Sequence, residues 1–329
     1  MLPVVADLAR LIAFPTVSSQ PVTAIAAFLA QRCADMGFVI ERFDDPSDSG
    51  KTNLMASIGP AHRDGLVLSG HMDVVPVAGQ PWSSDPFVLT ERQGQLYGRG
   101  TADMKGFIAA CLQAIARIEA GAWRRPLILL WTHDEEVGCH GSAQLCDQLL
   151  SAGRVLPGAC LVGEPTDFHL LRMHSGHVAV RIEVSGQAAH TAYPELGANA
   201  IEAAARVIEG MAALGKSLRA EHHDLPVGLE RPWVPLSVTR IGGGAAINIV
   251  PERCTLDLGY RPLPGMGHGP IWQRLQATLA ALELPAGTLA RAEVTRVTPS
   301  LCTRADTALE RILRDHAQPG GSAAAPYAT

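Results

Sequence analysis

Charged residues are scarce in this chain, at 18% of its 329 residues, and no block of Lys or Arg occurs. With a net charge of −5, charge gives no reason to expect nucleic acid or an anionic membrane as a partner. No segment approaches the roughly 20 consecutive apolar residues that cross a bilayer, so no membrane span is predicted. Residues Met1–Arg10 lack the pattern of a signal peptide and predict an amphipathic helix instead.

Paired cysteines are also absent, because the seven cysteines are scattered and none forms a CxxC motif. Such a pattern favours reduced thiols and a cytoplasmic location. Zinc sites built on thiolates usually use paired cysteines, so Cys139 is not predicted to be a ligand although it lies near the acidic segments described below.

Hydrophobic residues make up 47% of the chain, which is enough for real cores, and the length suggests two domains. Up to about residue 165, helix and strand patterns alternate, which predicts an α/β domain with helices on both faces of a mostly parallel sheet. After residue 175, alternating strands and two Ala-rich helices predict a small α+β domain. The pattern at 292–297 predicts a strand that returns to the first domain. We therefore expect a discontinuous domain of residues 1–175 and 291–329, with residues 176–290 inserted.

Four short segments carry the chemistry: Gly70–Asp73, Gly100–Asp103, Asp134–Glu136 and Gly163–Pro165. Three of them follow apolar runs that predict buried strands, at 66–69, 127–131 and 159–162. Open α/β sheets collect ligands outside the carboxyl ends of their strands, so these segments are expected to meet. Together they predict the centre of a two-metal hydrolase.

Two of the segments offer an imidazole and carboxylates. His71 and Asp73 are two residues apart and share a face, so Asp73 is placed to orient a metal-ligating His71. The alternative is an aspartate in a turn beside a histidine whose hydrogen bonds are made within the protein, without a metal. Asp103 lies in a glycine-rich loop and could bridge two metals, or it could cap the following helix.

The other two segments offer only carboxylates. Glu135 and Glu136 end a strand, so one can bind a metal while its neighbour acts as a general base; the alternative is a solvated acidic loop. Glu164 directly follows a core strand and completes a ligand set of oxygens and one imidazole.

The segments SGHMDVVP, YGRGTADMKG, DEEVG and GEPT resemble those of the dinuclear zinc amidohydrolases, which include acetylornithine deacetylase, succinyl-diaminopimelate desuccinylase and aminoacylase. Within that superfamily, the segments GGGAAINIVP at 242–251 and YRPLPG at 260–265 most resemble the acetylornithine deacetylases. The resemblance implies a mostly parallel-sheet zinc-hydrolase domain with an inserted α+β lid, through which two copies form a homodimer.

The resemblance also implies residue roles. His71 and Glu164 would hold one zinc, Asp103 would bridge, and Glu136 would hold the second zinc, with Co²⁺ able to substitute. Glu135 would be the general base, and Asp73, which orients His71, would belong to the catalytic set as well. His190 would polarise the scissile carbonyl, often across a dimer interface, while Asn248 and Arg261 would contact the carboxylate of the substrate.

The implied reaction is hydrolysis of the amide bond of a small N-acyl amino acid. N-acetylornithine is the substrate expected first, and its hydrolysis would belong to arginine biosynthesis. Alternatives are a desuccinylase, a general aminoacylase or dipeptidase, and a truncated, non-catalytic homologue. The sequence departs from the family pattern because no histidine matches the last zinc ligand, and His316 fits no ligand position. We therefore expect a chain that lacks the C-terminal segment, binds the second zinc weakly, and has reduced or no activity.

Overall fold

The computed structural model describes residues 2–60, 62–119, 121–223, 229, 231–320 and 323–325. The chain divides into two compact units, residues 1–167 and 168–329. Across the described ranges, no helix is both long and apolar enough to cross a membrane.

The first unit alternates helices and strands. In chain order its described elements are α1 (Pro3–Ile12), α2 (Thr23–Asp35), β1 (Val39–Asp44), β2 (Thr52–Ile58), β3 (Leu66–His71), β4 (Thr90–Arg92), β5 (Gln95–Tyr97), α3 (Lys105–Ile115), β6 (Leu127–Thr132), α4 (His140–Ser151) and β7 (Ala159–Val162). The central sheet has the order β1-β2-β6-β3-β7, in which β3 runs parallel to β6 and β7. Only β2 runs against the other four strands, which confirms the mostly parallel sheet.

The central strand β6 explains why both faces of this sheet are covered. All six of its residues are buried, as expected for a strand with helices on both sides. Leu129 and Trp131 pack into a core with residues of α1, α2 and α3, while Ile128 and Leu130 pack on the other face with Leu145 of α4. Helix α1 buries Leu8, Leu11 and Ile12, which confirms the amphipathic helix predicted there.

The second unit is built around an antiparallel sheet. In chain order its described elements are β8 (Met173–His174), β9 (His177–Ser185), α5 (Ala200–Ala220), β10 (Leu236–Gly243), β11 (Arg253–Tyr260), α6 (Gly269–Ala280), β12 (Leu289–Thr298), β13 (Leu301–Cys302), α7 (Ala308–Arg314) and β14 (Ala324–Ala325). The four-stranded sheet has the order β10-β11-β9-β12. Alternate residues of β9, from Val178 to Val184, are buried in one core with residues of α5 and α6, so this unit has the expected α+β character.

Strand β12 lies elsewhere than expected. It pairs with β9 over its whole length, from Leu289 opposite Ser185 to Thr298 opposite His177, and so belongs to the sheet of the second unit. Its alternate apolar residues pack against the same core as β9, and this burial determines where the strand pairs. The domain boundaries expected at 175/176 and 290/291 stay a prediction.

Candidate metal centre

Three parallel strands deliver the acidic and histidine side chains to one edge of the sheet. Strand β3 ends at His71 and lies between β6, which ends at Thr132, and β7, which ends at Val162. Among the residues that the structure describes, two groups could each hold a metal ion, with ligand atoms within 4.8 Å of one another: His71, Glu135 and Glu164, and His71, Asp103 and Glu136. The structure therefore brings together all five residues expected to form the centre.

His71 joins the two groups. Its Nδ1 atom lies 2.9 Å from the backbone oxygen of Asp73, which leaves Nε2 to face the carboxylates, 2.9 Å from Asp103 Oδ1. Burial disfavours the charged imidazole, but the hydrogen bond to Asp103 and the nearby charges, including Asp73, outweigh burial and raise the pKa of His71 to about 9. A metal cation at Nε2 would compete with that proton.

The carboxylate of Asp73 contacts the acidic segment more closely than the imidazole. Its backbone oxygen holds the ring of His71, whereas its Oδ1 atom is 3.6 Å from His71 Nδ1. The fully buried carboxylate accepts hydrogen bonds from Ser18 Oγ at 2.7 Å, from the backbone amide of Glu135 at 3.1 Å and from that of Glu136 at 3.3 Å. Asp73 thus connects His71 to residues 133–141, hereafter the acidic loop.

Negative charge accumulates at Glu136. Burial and, next, the charge of Asp103 raise the pKa of Glu136 to about 7, although His71 acts in the opposite direction. Carboxylates crowded in this way are stabilised by a bound cation. The donor set of one imidazole nitrogen and several carboxylate oxygens suits Zn²⁺ and similar divalent ions, so the residues present fit a metal.

Asp103 is not a helix cap, and Cys139 lies outside the two groups of potential ligands. Helix α3 begins at Lys105, and its N-cap residue is Met104, which makes no side-chain capping bond, so Asp103 does not cap this helix. Cys139 Sγ lies 3.6 Å from Glu135 Oε1 and belongs to neither of the two groups found among the described residues.

Four buried polar residues near the centre were not predicted: Ser18, Lys51, Asn53 and Lys105. Burial lowers the pKa of Lys105 to about 7, and its Nζ atom donates to the backbone oxygen of Phe14 at 2.7 Å. Lys105 stands in the segment YGRGTADMKG, but no role was expected for it, whereas Ser18, Lys51 and Asn53 have no accompanying motif. Of the residues without a motif, only Asn53, a polar residue in β2, stands where a strand pattern expects burial.

The remaining predicted residues lie in the second unit. The exposed His190 forms a β-bridge with Ile249, and the amide of Thr191 donates to the backbone oxygen of Asn248 at 3.1 Å, so His190 and Asn248 lie on adjacent segments. Arg261 is half-buried and lines a cavity of about 400 Å³. Burial and then the charge of Arg296 lower the pKa of Arg261.

An α/β unit that gathers one imidazole and three carboxylates beyond the carboxyl ends of parallel strands, with a fourth carboxylate from the loop before α3, has the construction of a metal-dependent hydrolase. Comparison with known proteins identifies the family. Residues 67–288 match the model of peptidase family M20/M25/M40, and the chain belongs to this family.

Curated relatives are acetylornithine deacetylases. The chain is 35% identical over 280 residues to that of Proteus mirabilis, a match covering 83% of this chain and 70% of the relative. It is 36% identical to the protein of Photorhabdus laumondii, covering 78% and 66%, and 37% identical to that of Yersinia pseudotuberculosis, covering 78% and 67%. The matches thus span only about two thirds of the length of these relatives.

Solved structures agree on the fold. A metallo-carboxypeptidase of family M20 from Sulfolobus solfataricus superposes with a TM-score of 0.71 at 17% identity, covering 94% of this chain and 82% of that chain. Aminopeptidase PepT from Bacillus cereus superposes with a TM-score of 0.70 at 18% identity, covering 99% and 84%. A dinuclear metal-binding peptidase of family M20 from Bacillus subtilis gives 0.62 at 15% identity, covering 97% and 83%.

Proposed function

We propose that this chain hydrolyses the amide bond of a small N-acyl amino acid with the help of bound zinc, and that N-acetylornithine is its first candidate substrate. The observation that carries the proposal is the convergence of His71, Asp103, Glu135, Glu136 and Glu164 in two overlapping groups of potential ligands. The similarity to acetylornithine deacetylases supports the choice of acyl group and amine.

In this proposal His71, Asp103, Glu136 and Glu164 hold the metal. When bound, zinc supplies a Lewis acid that polarises a carbonyl oxygen and lowers the pKa of water. Glu135 accepts the proton of the attacking water and later passes it to the leaving amine, as a general base and then a general acid. Asp73 keeps the backbone of Glu135 in place through the hydrogen bond to its amide.

Residues of the second unit would bind the substrate. We propose that His190 stabilises the negative charge that develops on the scissile carbonyl oxygen, and that Asn248 and Arg261 contact the carboxylate of the substrate. The chemistry of the three side chains supports these roles. All three can donate hydrogen bonds, and Arg261 can bind a carboxylate with two parallel hydrogen bonds.

We also propose that two copies associate through the second unit. Strand β10 is at the edge of its sheet, and the side chains of Ile241, Ile247 and Ile249 are 57%, 100% and 41% exposed. An open strand edge beside exposed apolar side chains favours pairing with a second chain. Sedimentation of the purified chain tests the proposal, because a monomer at micromolar concentration would contradict it.

The experiment that tests the function is a substrate panel. Purified chain loaded with zinc or cobalt is incubated with N-acetylornithine, N-succinyl-diaminopimelate, N-acetyl amino acids without a basic side chain, and dipeptides, and the released amine is quantified. Deacetylation of N-acetylornithine at the highest kcat/KM supports the proposal. Preference for the succinyl compound, for other acetyl amino acids or for dipeptides would replace it with the matching alternative.

The matched control is Glu135→Gln, which removes the base but keeps the shape of the side chain. Turnover that persists in this variant belongs to a contaminating enzyme. Absence of turnover with all substrates in a metal-loaded, folded chain would favour the non-catalytic homologue over the hydrolase.

A further inference from the structure

The acidic loop is fastened to the sheet at both ends by one buried side chain. Asn53 Oδ1 accepts a hydrogen bond from the amide of His133 at 3.2 Å, and Asn53 Nδ2 donates to the backbone oxygen of Gly141 at 3.0 Å. Between these points, the carboxylate of Asp73 accepts hydrogen bonds from the backbone amides of Glu135 and Glu136. The loop has backbone hydrogen bonds of its own, such as that from the amide of Gly141 to the oxygen of His133, and these side chains fasten it to the sheet.

Asp134 introduces the turn that aims the two glutamates. Its φ is +54°, a left-handed conformation that Asp tolerates better than most residues but which still needs support from its surroundings. That support is an ion pair, because Lys51 Nζ donates to Asp134 Oδ1 at 2.6 Å. The side chains of Lys51 and Asp134 are only 6% and 16% exposed.

Lys51 has a partner for each of its three protons. Besides Asp134, its ammonium group donates to the backbone oxygens of Ser18 and Gln20. Ser18 in turn donates through its hydroxyl to Asp73 Oδ2, the carboxylate that holds the loop amides. Lys51, Ser18, Asp73 and Asp134 thus form one connected buried network that ends on both sides at the acidic loop.

We propose that Lys51 is a positioning residue, which fixes the acidic loop in the conformation where Glu135 and Glu136 face His71. The roles of the two glutamates rest on the function proposed above, whereas the ordering of the loop by Lys51 does not. Lys51 itself belongs to neither group of potential metal ligands.

Hydrogen exchange of the metal-free chain tests the ordering of the loop directly. In Lys51→Met the amides of Glu135 and Glu136 should exchange about tenfold faster or more, since a charge-assisted hydrogen bond that supports their conformation is lost. The matched control is Arg154→Met, which breaks the exposed pair between Arg154 and Glu41 in the same unit and should leave these amides unchanged. Equal protection in wild type and Lys51→Met would overturn the proposal.

A double variant separates positioning from general destabilisation. Lys51→Met removes the cation beside the buried Asp134 carboxylate and leaves only the imidazole of His133, whose Nδ1 lies 3.2 Å from Asp134 Oδ2, so it should lower the melting temperature. Adding Asp134→Asn removes that charge and should restore much of the melting temperature, but the loop should stay mobile in hydrogen exchange. Recovery of loop protection together with stability would show a merely structural role and contradict the proposal. If neither variant folds, Ser18→Ala removes one link while the Asp73 carboxylate keeps its two bonds from the loop amides, and it should accelerate the same amides to a smaller degree.

Metal binding gives the functional readout. Loss of a residue that orients metal ligands typically weakens metal affinity by about 10–100-fold, and we expect Lys51→Met to fall in that range by chelator competition. The absorption spectrum of the Co²⁺-loaded chain should change as well, because the ligand arrangement changes. If Lys51→Met has the same metal affinity and the same Co²⁺ spectrum as the wild-type chain, Lys51 does not affect the metal centre. A wild-type chain that binds no metal, but whose loop still depends on Lys51, would reject the proposed function and leave the ordering role standing.

Discussion

Arg296 donates a hydrogen bond from Nη2 to Nδ1 of His177, at 2.8 Å, across neighbouring strands β12 and β9. A guanidinium group only donates, so Nδ1 of His177 is an acceptor and the proton of the neutral ring resides on Nε2. His177 also lines the cavity that contains Arg261, and the described residues around this cavity include no acidic side chain. The ring is therefore a neutral hydrogen-bond donor in a cationic setting.

From this pair we predict that His177 has a lowered pKa. Burial and the charges of Arg261 and then Arg296 lower its pKa below 6.5. The unfolded chain binds this proton at higher pH than the folded chain, so the contribution of His177 to stability is present above about pH 6.5 and decreases as the pH falls below it. The ring proton resonance of His177 should titrate with a midpoint below 6.5, and Arg296→Met should raise that midpoint. The control is Arg291→Met, which changes an exposed residue of the same strand and should leave the midpoint unchanged. A midpoint at or above 6.5 in the wild-type chain would disprove the prediction.

Metal stoichiometry should be close to one tightly held ion per chain. Both groups of potential ligands use His71, whose Nδ1 is held by the backbone oxygen of Asp73, so the remaining nitrogen, Nε2, cannot serve two ions at once. Of the two groups found among the described residues, a second ion would be left with carboxylates only, and three protein ligands are usual for catalytic zinc. Metal analysis after dialysis measures the ratio. Two ions retained against a chelator would show that a further ligand is supplied from elsewhere, while His71→Ala should reduce the tightly bound ion.

Glu135 and Glu136 should respond differently to substitution, although they are adjacent. Glu135→Gln is expected to lower kcat by about 10²–10⁴-fold, the usual contribution of a positioned general base, with metal content unchanged. Glu136→Gln is expected to reduce metal content first and activity as a consequence. Parallel metal analysis and kinetics of both variants check this division, and metal loss in Glu135→Gln alone would reverse the two roles.

Gly163 should tolerate no side chain. A Cβ atom there would lie 1.9 Å from Cγ of Phe107, a residue of α3, so that helix or the end of β7 must move. Gly163→Ala should therefore destabilise the chain by about 1–3 kcal/mol, as overpacking of a core typically does, and should displace the adjacent Glu164 and weaken metal binding. Gly158→Ala is the matched control, because a Cβ at Gly158 meets nothing within 4 Å. Equal melting temperatures and metal affinities of the two variants would contradict the prediction.

The sequence predicted the long, periodic elements well and the short ones poorly. The amphipathic α1 was recognisable because its hydrophobic periodicity shows which face is buried, and β6 because a continuous apolar run of strand length is typical of a strand covered on both faces. The β4–β5 hairpin and the strands β8, β13 and β14 were missed, since two or three residues carry no period. Strand β12 was recognised as a strand, but its partner was not, because an alternating pattern is compatible with any sheet that offers an apolar face.

The same distinction applies to the candidate centre. His71, the acidic loop and Glu164 each follow an apolar run, which was enough to predict that they meet, because parallel strands end at one edge of a sheet. Asp103 follows β5, which lies outside the central sheet, so its place was expected from the glycine-rich loop and the family resemblance. The sequence by itself thus determined the kinds of ligands and their approximate place. Only the tertiary structure decided that the Asp73 carboxylate holds the acidic loop, that Asp103 contacts His71 instead of capping α3, and that Lys51 pairs with Asp134. These contacts join residues far apart in the chain, and their geometry depends on how the strands and loops pack, which no local pattern of residues encodes.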